Sequence, residues 1–186
     1  FQRIELFPVV EVSVGAHEDP GRNLPEAIRL MRRASHITVE RVSRFYESPS
    51  VGGPEDAPDF FNAAALICTE LGPVELRAAL RRIEHELGRV RTDDPNEPRT
   101  IDLDVAYFGD TELELDGWVL PDPAAGTAPH VAIPIVEVAP DWVHPNDGRT
   151  TKEIAEEIGQ EMLVLLAQIA HNIVIGTRNG LAQADP

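Results

Sequence analysis

Apolar residues along this chain fall into two kinds of run: short β-branched stretches, and longer segments with helical spacing. Residues 7–14 (FPVVEVSV) are of the first kind and lead into Gly15, predicting a strand and a turn. After Pro20 and Gly21, Asn23 is placed to cap a helix with Pro25 in its first turn. Leu24, Ile28 and Met31 carry that helix to about Arg33. Residues 36–44 alternate around Ile37, Val39 and Val42, a second strand, followed by a Pro- and Gly-rich loop over 48–59. Strand character resumes at 61–69 (FNAAALICT). Gly72-Pro73 opens a helix whose Leu76, Leu80, Ile83 and Leu87 share one face, and Gly88 is positioned to end it.

The segment up to Arg99 is polar and carries Pro95 and Pro98; residues 100–108 then read as a strand with Ile101, Leu103 and Val105 on one side. Residues 116–129 are turn-rich, and 132–138 fit either a short helix or an extended segment. Thr150 or Thr151 starts a helix broken at Gly159, and Met162, Leu165, Leu166, Ile169, Ala170 and Ile173 predict a last amphipathic helix. The order strand, helix, strand, strand, helix, strand is the split βαβ arrangement of a ferredoxin-like α+β sandwich. In that fold an antiparallel sheet has helices packed on its faces. Residues 1–159 form the predicted domain, and 160–186 a helical extension with a frayed end.

With 42% hydrophobic residues in 186, the chain has enough apolar material for a core, which argues against disorder. Its apolar runs stop short of the ~18 residues a membrane span needs. No basic region leading into an apolar one opens it, so no secretory signal is expected. Cys68 is the single cysteine, which fits a reducing cytoplasm and excludes an internal disulfide.

Charge changes the picture most. Thirty-two carboxylates against sixteen basic residues give −16, arguing against nucleic acid or an anionic membrane as partner. No Lys or Arg occurs from Ile101 to Gly148, whereas Arg77, Arg81, Arg82, Arg89, Arg91 and Arg99 fall just before. An anionic ligand is therefore expected to lean on that cluster.

The candidate chemistry lies in Arg99-Thr100-Ile101-Asp102-Leu103-Asp104. Strand alternation puts Asp102 and Asp104 on one face, with Ile101, Leu103 and Val105 turned into the core. Two neighbouring carboxylates repel each other unless a cation sits between them. Such hard oxygen donors suit Mg²⁺, which takes one or two carboxylates plus phosphate oxygens and water. Arg89, Arg91 and Arg99 add guanidinium forks for phosphate. The same D-x-D pattern is also what the solvated face of a half-exposed sheet looks like, and Arg on a helix is commonly surface.

Residues 99–109 (RTIDLDVAYFG), preceded by Leu87-Gly88-Arg89-Val90-Arg91, resemble the signature of the 6-hydroxymethyl-7,8-dihydropterin pyrophosphokinase (HPPK) family. The likeness extends to Phe45-Tyr46-Glu47-Ser48-Pro49, Val51-Gly52-Gly53-Pro54, residues 58–63 (PDFFNA) and residues 138–145 (VAPDWVHP). It covers roughly 8–158 in order and implies a ferredoxin-like α+β sandwich. The implied reaction moves the β,γ-pyrophosphoryl group of ATP to the hydroxymethyl of a dihydropterin in folate synthesis, leaving AMP. By the same resemblance Asp102 and Asp104 hold two Mg²⁺ ions, and Arg89, Arg91 and Arg99 hold the triphosphate. Arg89 and Arg99 join the two aspartates as the implied catalytic set. Glu84 and Val105 fall at the nucleotide, and Ser48, Pro49, Val51, Phe60 and Asn62 at the pterin. The implied partners are these small molecules, with the protein a monomer or weak homodimer.

Four departures accompany the resemblance. Gly15-Ala16-His17 stands where Gly-Ser-Asn is usual, and Pro95-Asn96-Glu97-Pro98 where an Arg-Trp-Gly-Pro run is typical. Asp122 replaces a His after Pro121. The Arg and Phe usual a little later align with Ala128 and His130, and an earlier Arg with Gly117. Losing cations at a polyphosphate site weakens it, since each charge-assisted hydrogen bond is worth ~1.5–3 kcal/mol. The alternative is therefore a catalytically weakened pterin- or nucleotide-binding homologue with a regulatory or assembly role.

Overall fold

The computed structural model describes residues 9–16, 19–48, 59–90, 100–159 and 164–165. The strands are β1 (Val9–Ala16), β2 (Ile37–Val42), β3 (Tyr46–Ser48), β4 (Phe60–Thr69), β5 (Asp102–Phe108), β6 (Leu113–Leu115), β7 (Trp118–Leu120) and β8 (Val164–Leu165). The helices are α1 (Pro20–Arg33), α2 (Pro73–Glu86), α3 (Pro129–Val138) and α4 (Thr151–Ile158), with a 3-10 turn at Pro123–Gly126. The main sheet runs β5-β1-β4-β3-β8, all antiparallel, and β2 pairs with the far half of β4. It is an α+β sandwich, as the element order predicts.

β4 explains why the sheet is two-sided. Every side chain from Asn62 to Ile67 is buried, because both faces of this central strand are covered. On one face Leu24, Ile28 and Met31 of α1 and Leu76, Leu80 and Ile83 of α2 pack with Ile67, Leu103 and Val105. On the other, Val131, Ile135 and Val138 of α3 pack on Ala64, Leu66, Ala106 and Tyr107. Between Glu11↔Tyr107 and Val12↔Val105 the β1–β5 register steps, leaving Ala106 as an extra residue, so Ala106 and Tyr107 both serve the second core.

Several elements differ from the sequence reading. α1 begins at Pro20 behind Asp19, so Asn23 is no cap; it is buried, and its Nδ2 donates to Thr100 O at 3.2 Å. α3 is a helix, ambiguous in sequence because it is buried on nearly every side and shows no polar stripe. β3 falls in the segment read as approaching a loop. β6 and β7 form a hairpin on Asp116-Gly117, both at positive φ; β7 falls in the stretch 116–129 read only as turns, and β6 just before it. Val164–Leu165, expected in a final helix, is a strand paired with β3 at Tyr46 and Glu47, and the rest of 160–186 lies outside the described residues. Among the described residues no helix is long and apolar enough to cross a membrane.

α3 is tied to the sheet by one carboxylate. Glu137 accepts from Arg44 N at 2.8 Å, from Arg44 Nε at 2.6 Å, from Arg44 Nη2, and from Tyr46 Oη–H at 2.6 Å. Burial alone would raise the Glu137 carboxyl, but these donors hold it below the usual carboxylate range. A depressed folded value means the stabilisation is present above the unfolded value and disappears as pH falls through the folded one. Glu137→Gln is therefore expected to cost about 1–2 kcal/mol at pH 7, since Arg44 is half exposed. In urea unfolding, the gap between variant and wild type closes as the carboxyl of the wild type becomes protonated.

Candidate active site

β5 displays Asp102 and Asp104 toward the α3 side, while Ile101, Leu103 and Val105 are at most 2% exposed on the helix side. Two contacts from the end of α2 hold this strand. Glu84, 1% exposed, accepts the Leu103 N–H on Oε1 at 2.8 Å. Arg89 donates from Nη1 to Ile101 O at 2.6 Å and pairs with Asp102 Oδ1 at 2.9 Å. Both backbone groups lie on the edge of β5 turned away from β1, where no other described strand pairs, and Glu84 and Arg89 meet them there. Asp102 is clamped between them.

The register aligns the rest. Gly15 of β1 lies opposite Asp102 on one side and Asn62 of β4 on the other, and Asn62 in turn lies opposite Tyr46 of β3. Asn62, 1% exposed, donates from Nδ2 to Ser48 Oγ at 3.0 Å and to Phe60 O at 3.3 Å, which turns its carbonyl oxygen the other way. The Phe60 ring lies over Gly15, where a Cβ would come within 2.3 Å of Cε1 and 2.6 Å of Cζ. Glycine is needed here because a ring occupies the space of a side chain.

A hollow of about 150 Å³ is lined by Gly15, Phe60, Asn62, Asp102 and Asp104, and closed by Asp122, Ala124, His130 and Val131. Asp122 Oδ1 accepts the Ala124 N–H at 2.8 Å and caps the 3-10 turn. Its carboxyl is raised by burial and by the Asp102 charge, against the opposing pull of the Ala124 N–H and His130. His130, in the first turn of α3, is lowered by burial and raised by Asp122.

The structure thus brings together Ser48, Phe60, Asn62, Asp102, Asp104 and, through its grip on Asp102, Arg89. Val105 is 2% exposed and belongs to the core on the α1 and α2 side, and Glu84 is engaged at the edge of the strand. Pro49, Val51, Arg91 and Arg99 lie outside the described residues. Of the wider Arg cluster, Arg77 is stacked on Trp118 at 4.6 Å, while Arg81 and Arg82 are exposed on α2. Asp122 and His130, met in the sequence as departures from a pattern, turn out to be a wall of the hollow.

The sequence model of the 7,8-dihydro-6-hydroxymethylpterin-pyrophosphokinase (HPPK) family matches residues 11–140, from β1 through α3. The chain belongs to this family. It is 38% identical over 136 residues to the 2-amino-4-hydroxy-6-hydroxymethyldihydropteridine pyrophosphokinase of Synechocystis, covering 73% of this chain and 68% of that one. To the protein of the same name from Haemophilus influenzae it is 34% identical over 146 residues, 78% of this chain and 90% of that one. A crystal structure of Plasmodium falciparum HPPK-DHPS superposes with a TM-score of 0.63 at 9% identity, over 81% of this chain. That likeness speaks to the fold, and the present chain spans 43% of the Plasmodium chain.

The packing of Phe60 on Gly15 is testable. Gly15→Ala is expected to destabilise the protein by about 1–3 kcal/mol through overpacking. Phe60→Ala in the same chain relieves the clash, so denaturant unfolding of the double variant shows a loss smaller than the sum of the two single losses.

Proposed function

We propose that this HPPK-family chain transfers the β,γ-pyrophosphoryl group of ATP to the hydroxymethyl of 6-hydroxymethyl-7,8-dihydropterin, releasing AMP. The observation that carries this is one hollow with a carboxylate pair on β5 and an amide-and-ring wall on β4, three strands in register across Gly15. Ser48, Phe60 and Asn62 form the pterin wall, with Pro49 and Val51 assigned to it from the sequence. Phe60 offers a ring face to a flat heterocycle. Asn62, its N–H₂ engaged by Ser48 and Phe60 O, offers its carbonyl oxygen to a pterin N–H.

Asp102 and Asp104 supply hard oxygen donors on one strand face, the donor set Mg²⁺ prefers. Among the described residues no group of three or more His, Cys, Asp or Glu is arranged as a metal nest. That fits ions whose remaining ligands are phosphate oxygens and water, and two Mg²⁺ are the number assigned. Bound there, such ions would neutralise phosphate charge and so ease approach of the hydroxyl oxygen to the β-phosphorus. Arg89 fixes Asp102 in orientation while its charge limits the repulsion from Asp104. Glu84 acts on the same strand from below, through the Leu103 N–H. Arg91 and Arg99 are assigned to the triphosphate, and Val105 to the apolar backing of the nucleotide side. The catalytic unit of this reading is residues 1–159, with 160–186 appended, working as a monomer or weak homodimer in the cytoplasm.

Incubation with ATP, Mg²⁺ and the dihydropterin is expected to yield AMP. In Asp102→Ala, AMP formation should fall by roughly a hundredfold or more, because a metal ligand and the partner of Arg89 are lost together. Dihydropterin binding without AMP in the wild type would instead identify a binding homologue with regulatory or assembly duty.

A further inference from the structure

α1 buries one amide among its apolar residues. Its buried positions are Leu24, Ala27, Ile28, Leu30, Met31 and Asn23, the last 6% exposed. Asn is a poor helix former, and a buried amide is unfavourable unless it is hydrogen-bonded. The side chain reaches across the fold: Asn23 Nδ2 donates to Thr100 O at 3.2 Å, 77 residues further along the chain. Asn23 and Thr100 also line one cleft with Leu87 and Gly88, so α1, the end of α2 and the approach to β5 meet at this point.

Three backbone groups at the start of β5 are thus gripped from outside the sheet. Asn23 takes Thr100 O, Arg89 takes Ile101 O and Glu84 takes the Leu103 N–H, with Asp102 inside that run. Glu84 and Arg89 both belong to the end of α2 and the turn after it, so they tie the strand to one helix. Asn23 ties it to the other. Two supports from separate helices resist a tilt of the strand that either alone would allow. Small tilts matter at such a place, since a reacting group misplaced by about 1 Å loses roughly 10²-fold in rate.

We infer that Asn23 is a positioning residue of the reaction: its hold on Thr100 O sets how β5 enters the sheet, and thereby how Asp102 and Asp104 face the metal-borne triphosphate. This rests on the pyrophosphokinase reading. The inference divides the site in two. Ser48, Phe60 and Asn62 stand on β3 and β4 and are joined by the bonds of the Asn62 amide. Loss of the Asn23 amide therefore falls on the nucleotide side and leaves the pterin side in place.

The test uses the full chain and Asn23→Leu, Asn23→Ala and Asn23→Gln. Leucine suits the apolar face of α1 and alanine suits the helix, while both delete the donor; glutamine keeps an amide on a longer arm. Four quantities are measured: kcat for AMP formation, Kd for a non-hydrolysable ATP analogue with Mg²⁺ by calorimetry, Kd for the dihydropterin by fluorescence, and the urea midpoint. In the two donor-deleting variants kcat should fall and the Mg²⁺–analogue Kd should rise, each by about three- to tenfold, the size expected of one neutral hydrogen bond. Their dihydropterin Kd should stay within about twofold, and Asn23→Gln should recover part of the loss. Should one of the two fail to fold, the other carries the same comparison. Kinetics and Mg²⁺–analogue affinity within about 1.5-fold of wild type overturn the inference. So does a loss that falls equally on dihydropterin binding, or one no larger than the unfolded fraction read from the urea curve. If the wild type forms no AMP, the pyrophosphokinase reading falls and takes this inference with it; wild-type AMP formation that is indifferent to Asn23 removes the inference alone.

Discussion

The edge of β5 is the constraint on which the site depends. A strand at the end of a sheet exposes backbone donors and acceptors that need partners when buried. Here Leu103 N–H is met by Glu84 and Ile101 O by Arg89, both from the end of α2. The two contacts flank Asp102 in sequence, and Arg89 adds a direct ion pair to it. An arrangement that first solves a packing problem, how to end a sheet beside a helix, therefore also fixes the orientation of the carboxylate assigned to a cation in the proposed reading. Removing Glu84 or Arg89 would disturb the strand before any ligand arrives.

The same geometry explains how so acidic a protein can house an anionic substrate. Asp102, Asp104 and Asp122 share one hollow, and Asp102 pairs directly with Arg89. The unfavourable charge of such a wall is tolerable in a resting protein because Asp104 is exposed to water and Asp122 is raised toward its neutral form by burial and by Asp102. In the proposed reading the hollow takes cations first, and phosphate through them.

On the opposite side the wall is held by smaller means. Ser48 and Phe60 O orient the Asn62 amide, and the absence of a side chain at Gly15 lets the Phe60 ring lie against the sheet. Glu137 ties Arg44 and Tyr46 to α3, so the strand that carries Ser48 and the helix that carries His130 are linked by one carboxylate. The two walls are consequently fixed relative to each other at the end remote from β5.

Strand alternation in 101–105 was enough to put both aspartates on one face, and the apolar stripe of α2 was enough to place Glu84 and Arg89 near its end. Local signals also marked Thr150, whose side chain and Glu153 form a capping box. They misplaced the start of α1, because Pro20 is as good a first helical residue as Pro25 and only the path to Thr100 engages Asn23 elsewhere. α3 was illegible because burial on all sides erases the periodicity that identifies a helix, and β3 because three residues are too few to alternate. Sequence by itself determined the family, the core order of strand, helix, strand, strand, helix, strand, and the chemical kinds of residue available. Tertiary structure alone decided that Gly15 stands between Asp102 and Asn62, that Glu84 serves a strand edge, and that Asp122 and His130 close the hollow. Register across strands and the folding of α3 over the sheet join residues tens of positions apart, and no local pattern encodes those distances.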